Sequence, residues 1–316
     1  MTVAGEARIL DGKATAREIR REVAEGCRQL HEQTGVVPGL TVVLVGEDPA
    51  SSIYVRNKEK ASTKAGMSSR VVRLPATASE AEILSTVDGL NRDESVHGIL
   101  VQLPLPSGVD AQRVIETLSP DKDVDGFHPV NAGRLLIGLP GFVPCTPAGI
   151  IELLRRNDIP MKGRRAVIIG RSNIVGKPMA ILLLREHATV TVCHSRTPDL
   201  ATVAREADLL IAAVGKLALV TGEFIKQGAA VVDVGIHTVT DEPTVERLFG
   251  DDPDRLRSLR DKGQTLAGDV HPMEGRSRAG WLTPVPGGVG PLTIAMLLQN
   301  TLRAAQRSAG IDSNDR

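Results

Sequence analysis

The chain has 316 residues with 38 basic and 38 acidic side chains, so its formal net charge is zero and nothing electrostatic favours nucleic acid or an anionic membrane as partner. Four phenylalanines, one tyrosine (Tyr54) and one tryptophan (Trp281) leave base-stacking platforms scarce and build the core from Val, Ile, Leu and Ala. The length predicts two domains of ordinary size. Cys27, Cys145 and Cys193 are far apart and include no Cys-x-x-Cys pair, so neither a disulfide framework nor a zinc site is expected and a reducing cytosol suits them. Met1 to Leu10 lacks an apolar signal core, and no apolar run approaches the ~20 residues of a membrane span. A soluble, cytoplasmic protein is the expectation.

In chain order, Gly12–Gln33 reads as a helix, with Ile19, Val23 and Leu30 on one face and charges opposite. Three β-branched runs follow at Leu40–Val45, Arg70–Leu74 and Gly98–Leu103, separated by helical stretches Pro49–Ala65 and Ser79–Leu90. Apolar strands alternating with helices imply a parallel sheet covered on both faces. After a Pro/Gly-rich stretch near Pro140–Thr146 comes a helix at Pro147–Arg156. A second alternating set then begins: strand Ala166–Gly170, helix Gly176–Glu186 and strands Thr189–Cys193, Leu209–Val214 and Ala230–Val234. Asp251–Lys262 is charge-dense and reads as an exposed helix. Pro284–Pro291 holds three glycines and three prolines in eight positions, which excludes helix and central strand. It runs into an apolar helix, Leu292–Ala305, whose N-terminus offers free N–H groups to a ligand.

The second set looks like a dinucleotide-binding unit. Strand Ala166–Ile169 enters Gly170-Arg171-Ser172 and reaches a helix at Gly176, the geometry of a phosphate loop, although the spacing is not Gly-x-Gly-x-x-Gly. After the next strand, NAD sites usually carry an acid for the ribose 2′-hydroxyl. Here the chain reads His194-Ser195-Arg196-Thr197. Either this is a polar loop with a solvated arginine, or Ser195 and Arg196, helped by Arg171, hold the 2′-phosphate of NADP.

In the first half, Asp48 and Pro49 mark a helix start and Gly66 a stop. Tyr54 and Lys58 stand four apart and share a helix face, where they are either a stacking and proton-handling pair or simply exposed. A Tyr–Lys pair also occurs in short-chain dehydrogenases, but there it follows the nucleotide loop, whereas here it precedes Gly170. Gln102 stands at the carboxyl end of a buried strand, as a rim residue or a ligand contact. Asp121-Lys-Asp-Val-Asp-Gly126 begins like a calcium loop, but its twelfth position is Ala132 where a glutamate is required, so calcium is excluded. Asp125 remains either a turn residue or a carboxylate meant for a ligand. His194, His237 and His271 lack the spacing of metal ligands, and no metal is expected.

Seven segments in order resemble one family, the bifunctional methylenetetrahydrofolate dehydrogenase/methenyltetrahydrofolate cyclohydrolases. They are Ser52–Lys58, Gln102–Pro106, Asp121–Gly126, Pro144–Pro147, Gly170–Gly176, Asp233–Ile236 and Pro284–Pro291. The resemblance implies a two-domain α/β enzyme. Residues 1–146, joined by a C-terminal helix at 291–316, would form a folate-binding catalytic domain with a parallel sheet. Residues 147–290 would form a Rossmann-type NADP-binding domain, with the active-site cleft between the two. It further implies Lys58 as the catalytic lysine, Gln102 as the residue tuning it, Tyr54 as a stacking partner and Asp125 as the carboxylate on the pterin's amino edge. Gly170, Arg171, Ser172, Ser195, Arg196 and Ile236 would serve the cofactor, while Pro286, Gly287, Gly288, Val289 and Gly290 would lie beside the folate. A homodimer is the family's habit. A dehydrogenase without the hydrolase step would not need Lys58 and Gln102, and a silent folate or dinucleotide sensor would not need Tyr54, Lys58 and Asp125. No Walker loop is present for a formate ligase. Glu242–Ala267 looks longer than the family pattern and is expected to leave the sites untouched.

Overall fold

The computed structural model describes residues 6–311. Its first half comprises β1 (Arg8–Ile9), α1 (Gly12–Thr34), β2 (Gly39–Val45), α2 (Pro49–Lys64), β3 (Ser68–Leu74), α3 (Glu80–Arg92), β4 (Gly98–Val101), α4 (Ala111–Thr117) and α5 (Pro129–Ile137). Then come α6 (Cys145–Arg156), β5 (Arg165–Ile169), α7 (Gly176–Arg185), β6 (Thr189–Cys193), α8 (Leu200–Ala204), β7 (Leu209–Ala212) and β8 (Ala230–Asp233). The remainder is β9 (His237–Val239), α9 (Glu242–Phe249), α10 (Pro253–Lys262), β10 (Thr265–Ala267), α11 (Pro272–Arg278), β11 (Trp281–Leu282) and α12 (Gly290–Ser308).

These elements divide into two compact units. Ala16–Cys145 with Ile294–Arg316 holds a three-stranded sheet of order β3-β2-β4, parallel throughout. Every residue of β2 and β4 is buried, which is why neither alternates; apart from Thr41 in β2 both read as apolar runs. One face packs Val43, Val45, Ile99 and Val101 against Ile83, Val87 and Leu90 of α3 and Val114 of α4. The helices start where the chain supplies caps. Asp48 accepts from Ser51 N at 2.7 Å, and Ser79 with Glu82 forms a reciprocal capping box. The α2 helix ends at Ala65, with Gly66 following at φ 80°.

The other unit, Met1–Thr15 with Thr146–Thr293, holds a six-stranded sheet of order β1-β11-β8-β7-β5-β6. All five of its strand pairs are parallel. Reversal of strand order beside β5 marks a switch point, where the carboxyl ends of parallel strands collect ligands. Two of these strands, β1 and β11, are two residues long and carry no alternation that a sequence pattern could detect. The pairing of β1 with β11 groups the chain's beginning with the later unit rather than with the residues that follow it. Gly12 sits so close to Gly288 that a Cβ there would lie 1.7 Å from the Gly288 carbonyl oxygen, so the contact requires glycine.

In the smaller-sheet unit, Asn300 of α12 is 3 % exposed and donates from Nδ2 to Val124 O at 2.9 Å and Val143 O at 3.3 Å. Asn300→Leu keeps the volume but withdraws that donor, so stability should fall by about 1–3 kcal/mol, read as a lower midpoint of urea unfolding. An unchanged midpoint would show that neither carbonyl depends on Asn300.

Candidate active site and nucleotide-binding edge

Lys58 points inward from α2 and is 8 % exposed, whereas Tyr54, one turn earlier, is 45 % exposed. A buried ammonium needs partners. Lys58 Nζ donates to Gln102 Oε1 at 3.0 Å, and Gln102 Nε2 donates to Leu103 O at 2.7 Å. The second bond fixes the amide, so its carbonyl is the group that faces the lysine. Gln102 itself follows β4, and its own N–H reaches Val43 O of β2, which sets it at the carboxyl end of the sheet. Burial lowers the Lys58 pKa below the usual lysine range, opposed by the charge of Asp125 and then by Cys145. Asp125 is pushed up by burial and drawn back chiefly by the charge of Lys58.

The three aspartates of Asp121–Gly126 take three different roles. Asp121 is exposed, with Arg134 Nη1 3.4 Å away. Asp123 is buried and makes the turn, accepting from Phe127 N, His128 N and Asn131 Nδ2 at 3.2, 2.8 and 2.9 Å. Burial pushes its carboxyl up to about 6, against the pull of those donors. Asp125 is the one whose charge acts on Lys58. Sequence reasoning missed Cys145 and Asn300 here. The Cys145 thiol donates to Val124 O at 3.4 Å beside Asp125, and Asn300 Nδ2 lies 3.7 Å from its sulfur. The only sequence signal for Cys145 was its place in Pro144–Pro147.

On the six-stranded sheet, the expected cofactor residues occupy loops at the carboxyl ends of β5, β6 and β8. Gly170 leaves β5 at φ 128°, and a Cβ there would meet Ala213 O at 2.1 Å. One at Gly176 would meet Gly170 O at 2.3 Å. Ser172 Oγ accepts from Val175 N at 3.1 Å and Gly176 N at 3.3 Å, shaping the entry to α7. The adjacent strand ends in a turn closed by His194 N to Thr197 Oγ1 (2.9 Å) and Arg196 N to His194 Nδ1 (3.1 Å). That turn leaves Ser195 and Arg196 exposed, as are Arg171 and Ser172. Ile236 is 47 % exposed after β8, and its Cδ1 would lie 3.8 Å from a Cβ on Gly290. The backbone cradle, the absence of an acid at 194–197 and the two exposed guanidiniums fit a dinucleotide carrying a 2′-phosphate.

Two buried aspartates hold this edge in shape, and neither was singled out from the sequence. Asp233, at the end of β8, accepts from Gly235 N, Asp269 N and Val270 N, each at 2.9 Å. Burial pushes its carboxyl up to about 7, while these donors pull it down. Asp269 in turn accepts from Val214 N (2.7 Å) and Gly215 N (3.0 Å) on Oδ2, and from Lys216 N (2.9 Å) on Oδ1. His237 Nε2 lies 2.8 Å from the same Oδ1. Together they fasten the loops after β7 and β8. Among the described residues, no group of three His, Cys, Asp or Glu side chains is placed to hold a metal ion.

A parallel-sheet unit with a buried, hydrogen-bonded lysine and a six-stranded parallel unit with a glycine loop at its carboxyl edge define a two-domain α/β protein of the nucleotide-dependent dehydrogenase class. The family follows from sequence comparison. Residues 10–125 match the model of the tetrahydrofolate dehydrogenase/cyclohydrolase catalytic domain, and residues 144–309 match that of its NAD(P)-binding domain. The chain belongs to this family. It is 53 % identical over 304 residues to the bifunctional protein FolD of Solibacter usitatus, covering 96 % of this chain and 99 % of that one. With the FolD of Moorella thermoacetica it shares 54 % over 301 residues, or 95 % and 99 % of the two chains. Among solved structures, the bifunctional FolD of Campylobacter jejuni superimposes with a TM-score of 0.85 at 44 % identity, covering 95 % of this chain and 99 % of its own. The Trypanosoma brucei methylenetetrahydrofolate dehydrogenase-cyclohydrolase, complexed with NADP cofactor and inhibitor, gives 0.86 at 41 %, with 96 % and 98 % covered.

Asp269→Asn should be far from silent. Whichever way the new amide is turned, its NH2 confronts at least one backbone N–H that Asp269 now satisfies. Each orphaned donor costs about 1–3 kcal/mol. A lowered thermal midpoint together with weaker NADP binding by titration is expected; wild-type values for both would mean the loops after β7 hold their shape without the carboxylate.

Proposed function

We propose that the chain oxidises 5,10-methylenetetrahydrofolate to 5,10-methenyltetrahydrofolate with NADP and hydrolyses that product to 10-formyltetrahydrofolate, two consecutive steps of one-carbon metabolism. The observation that carries the reading is the buried Lys58 amine, held by Gln102 beside Asp125, in a chain of this family. Full-length similarity to proteins named as bifunctional dehydrogenase/cyclohydrolases supports it.

In the oxidation, a folate nitrogen lone pair stabilises the cation left behind as hydride departs. The step therefore asks the protein for placement more than for acid–base work. Bound NADP supplies the hydride acceptor. Gly170, Arg171, Ser172, Ser195 and Ile236 would hold it, with Arg196 and Arg171 on the 2′-phosphate. Tyr54 stacks on the pterin, and Asp125 accepts hydrogen bonds from the pterin's amino edge. Pro286–Gly290 passes along the folate through its backbone.

In the hydrolysis, water adds to the methenyl carbon and must lose a proton. A lysine whose pKa is lowered by burial is neutral in a larger fraction near neutral pH than an exposed one, and its lone pair can take that proton. The Gln102 carbonyl can only accept, so it engages an N–H of Lys58 and leaves the lone pair for water. Returning the proton to the ring nitrogen lets that C–N bond break while the added hydroxyl releases its own proton to water, so the five-membered ring opens, the formyl group stays on the other nitrogen and one proton is released overall. Three buried, free thiols support a reducing cytoplasmic location, and family likeness supports a homodimer.

The direct test is an absorbance assay of purified protein with methylenetetrahydrofolate, run separately with NADP and NAD, and with added methenyltetrahydrofolate. NADP reduction plus hydrolysis above the spontaneous rate is the expected result. Lys58→Gln should lower hydrolysis about 10²–10⁴-fold and hydride transfer much less. Below its lowered pKa the ammonium cannot take a proton, so hydrolysis should fall on the acid side of that limb. The limb should lie under the ordinary lysine range and vanish in Lys58→Gln. Equal loss of both activities would remove Lys58 from proton transfer.

Arg196→Ala tests the cofactor assignment. Its KM should rise about tenfold for NADP, the size of one charge-assisted contact, with little change for NAD. Equal effects on the two cofactors would place the 2′-phosphate elsewhere.

A further inference from the structure

The stretch Glu242–Ala267 was expected to leave the sites untouched; in the fold one of its side chains reaches Val285, next to the glycine loop. Helices α9 and α10 pack on β9 and β10 through Val239, Val245, Leu248 and Ala267, with Phe249, Leu256 and Leu259 around them. From α10, Arg255 reaches inward. Its Nη1 donates to Leu266 O at 2.9 Å and lies 3.5 Å from Thr265 Oγ1, and its Nη2 donates to Val285 O at 2.6 Å. The guanidinium also stacks 4.3 Å from the ring centroid of Phe249.

Val285 is the residue before Pro286, at the root of the glycine loop. That loop has little side chain of its own with which to pack. Its shape comes from backbone contacts: Gly288 N donates to Pro284 O at 2.8 Å, and Gly12 abuts the Gly288 carbonyl. Arg255 adds a charged, half-buried donor to this set, anchored on its other side by β10 and by an aromatic ring. A donor so braced fixes the position of the carbonyl it holds, because moving Val285 would strand a partly desolvated charge.

We propose that Arg255 is a positioning residue for catalysis: by holding Val285 O it sets the course of Pro286–Gly290 and, through that loop, the placement of the tetrahydrofolate substrate. This rests on the reading that Pro286–Gly290 passes along the folate. The segment Glu242–Ala267 is thereby part of the substrate-binding apparatus rather than a surface embellishment.

The test uses the full chain and three variants. Arg255→Met keeps the stem against Phe249 and removes both donors; Arg255→Lys keeps one charge and can reach one carbonyl. Gly290→Ala probes the loop itself, since its Cβ would make an ordinary 3.8 Å contact with Ile236 and needs no strained backbone. For each, KM for the folate is measured in both reactions, with KM for NADP, kcat and thermal midpoint. Arg255→Met should raise the folate KM about tenfold in both reactions, the order of one charge-assisted hydrogen bond, with NADP KM within about twofold. Arg255→Lys should recover part of the loss, and Gly290→Ala should also raise the folate KM.

A fall in thermal midpoint with unchanged folate KM in Arg255→Met makes Arg255 purely structural and overturns the proposal. If that variant does not fold, a wild-type folate KM in Arg255→Lys overturns it equally, because one ammonium cannot reproduce the two-carbonyl bridge. If Gly290→Ala raises the folate KM and Arg255→Met does not, the loop reading stands and Arg255 alone fails. If Gly290→Ala leaves the folate KM unchanged, the loop reading fails and takes the Arg255 proposal with it.

Discussion

Burying one amine constrains most of the smaller-sheet unit. Lys58 can be 8 % exposed only because groups from distant parts of the chain converge on it: Gln102 after β4 and Asp125 from the turn that Asp123 builds. Each of those depends on something further out. Gln102 is oriented by Leu103 O, and the main chain around Asp125 and Cys145 is tied to α12 through Asn300. The desolvation that makes the lysine costly is also what lowers its pKa.

On the six-stranded sheet the same problem appears with the signs reversed. Loops at the carboxyl ends of β7 and β8 must leave their outer face open to a ligand, so they cannot be held by packing from above. Buried carboxylates hold them from below: Asp233 fastens the backbone of Asp269, and Asp269 fastens Val214–Lys216. Arg255 is the cationic counterpart, gripping a carbonyl where the aspartates grip N–H groups. Buried carboxylates and one guanidinium thus fix where the backbone of these loops stands.

Local signals served well where one residue's chemistry decides the outcome. Asp48 and Ser79 are caps, Gly66 and Gly170 take positive φ, and the apolar runs of β2 and β4 are buried throughout. Helix α10 is the charge-dense segment expected at Asp251–Lys262, and none of its residues is buried. Where pairing supplies the stability, local pattern was mute. β1 and β11 are two residues each, and only their parallel neighbours make them strands.

The sequence by itself determined the order of elements, the two α/β sets, the family, and the residue types at the site, because spacing and side-chain chemistry survive in one dimension. It left Asp125 as either a turn residue or a carboxylate for a ligand, and could not say that Asp123 would make the turn. Nor could it say that Cys145 would lie beside Asp125, or that a charged helix would send Arg255 to the glycine loop. Those outcomes depend on which polar groups are left to one another once the apolar surface is buried. Desolvation makes that choice, and desolvation exists only in the folded chain.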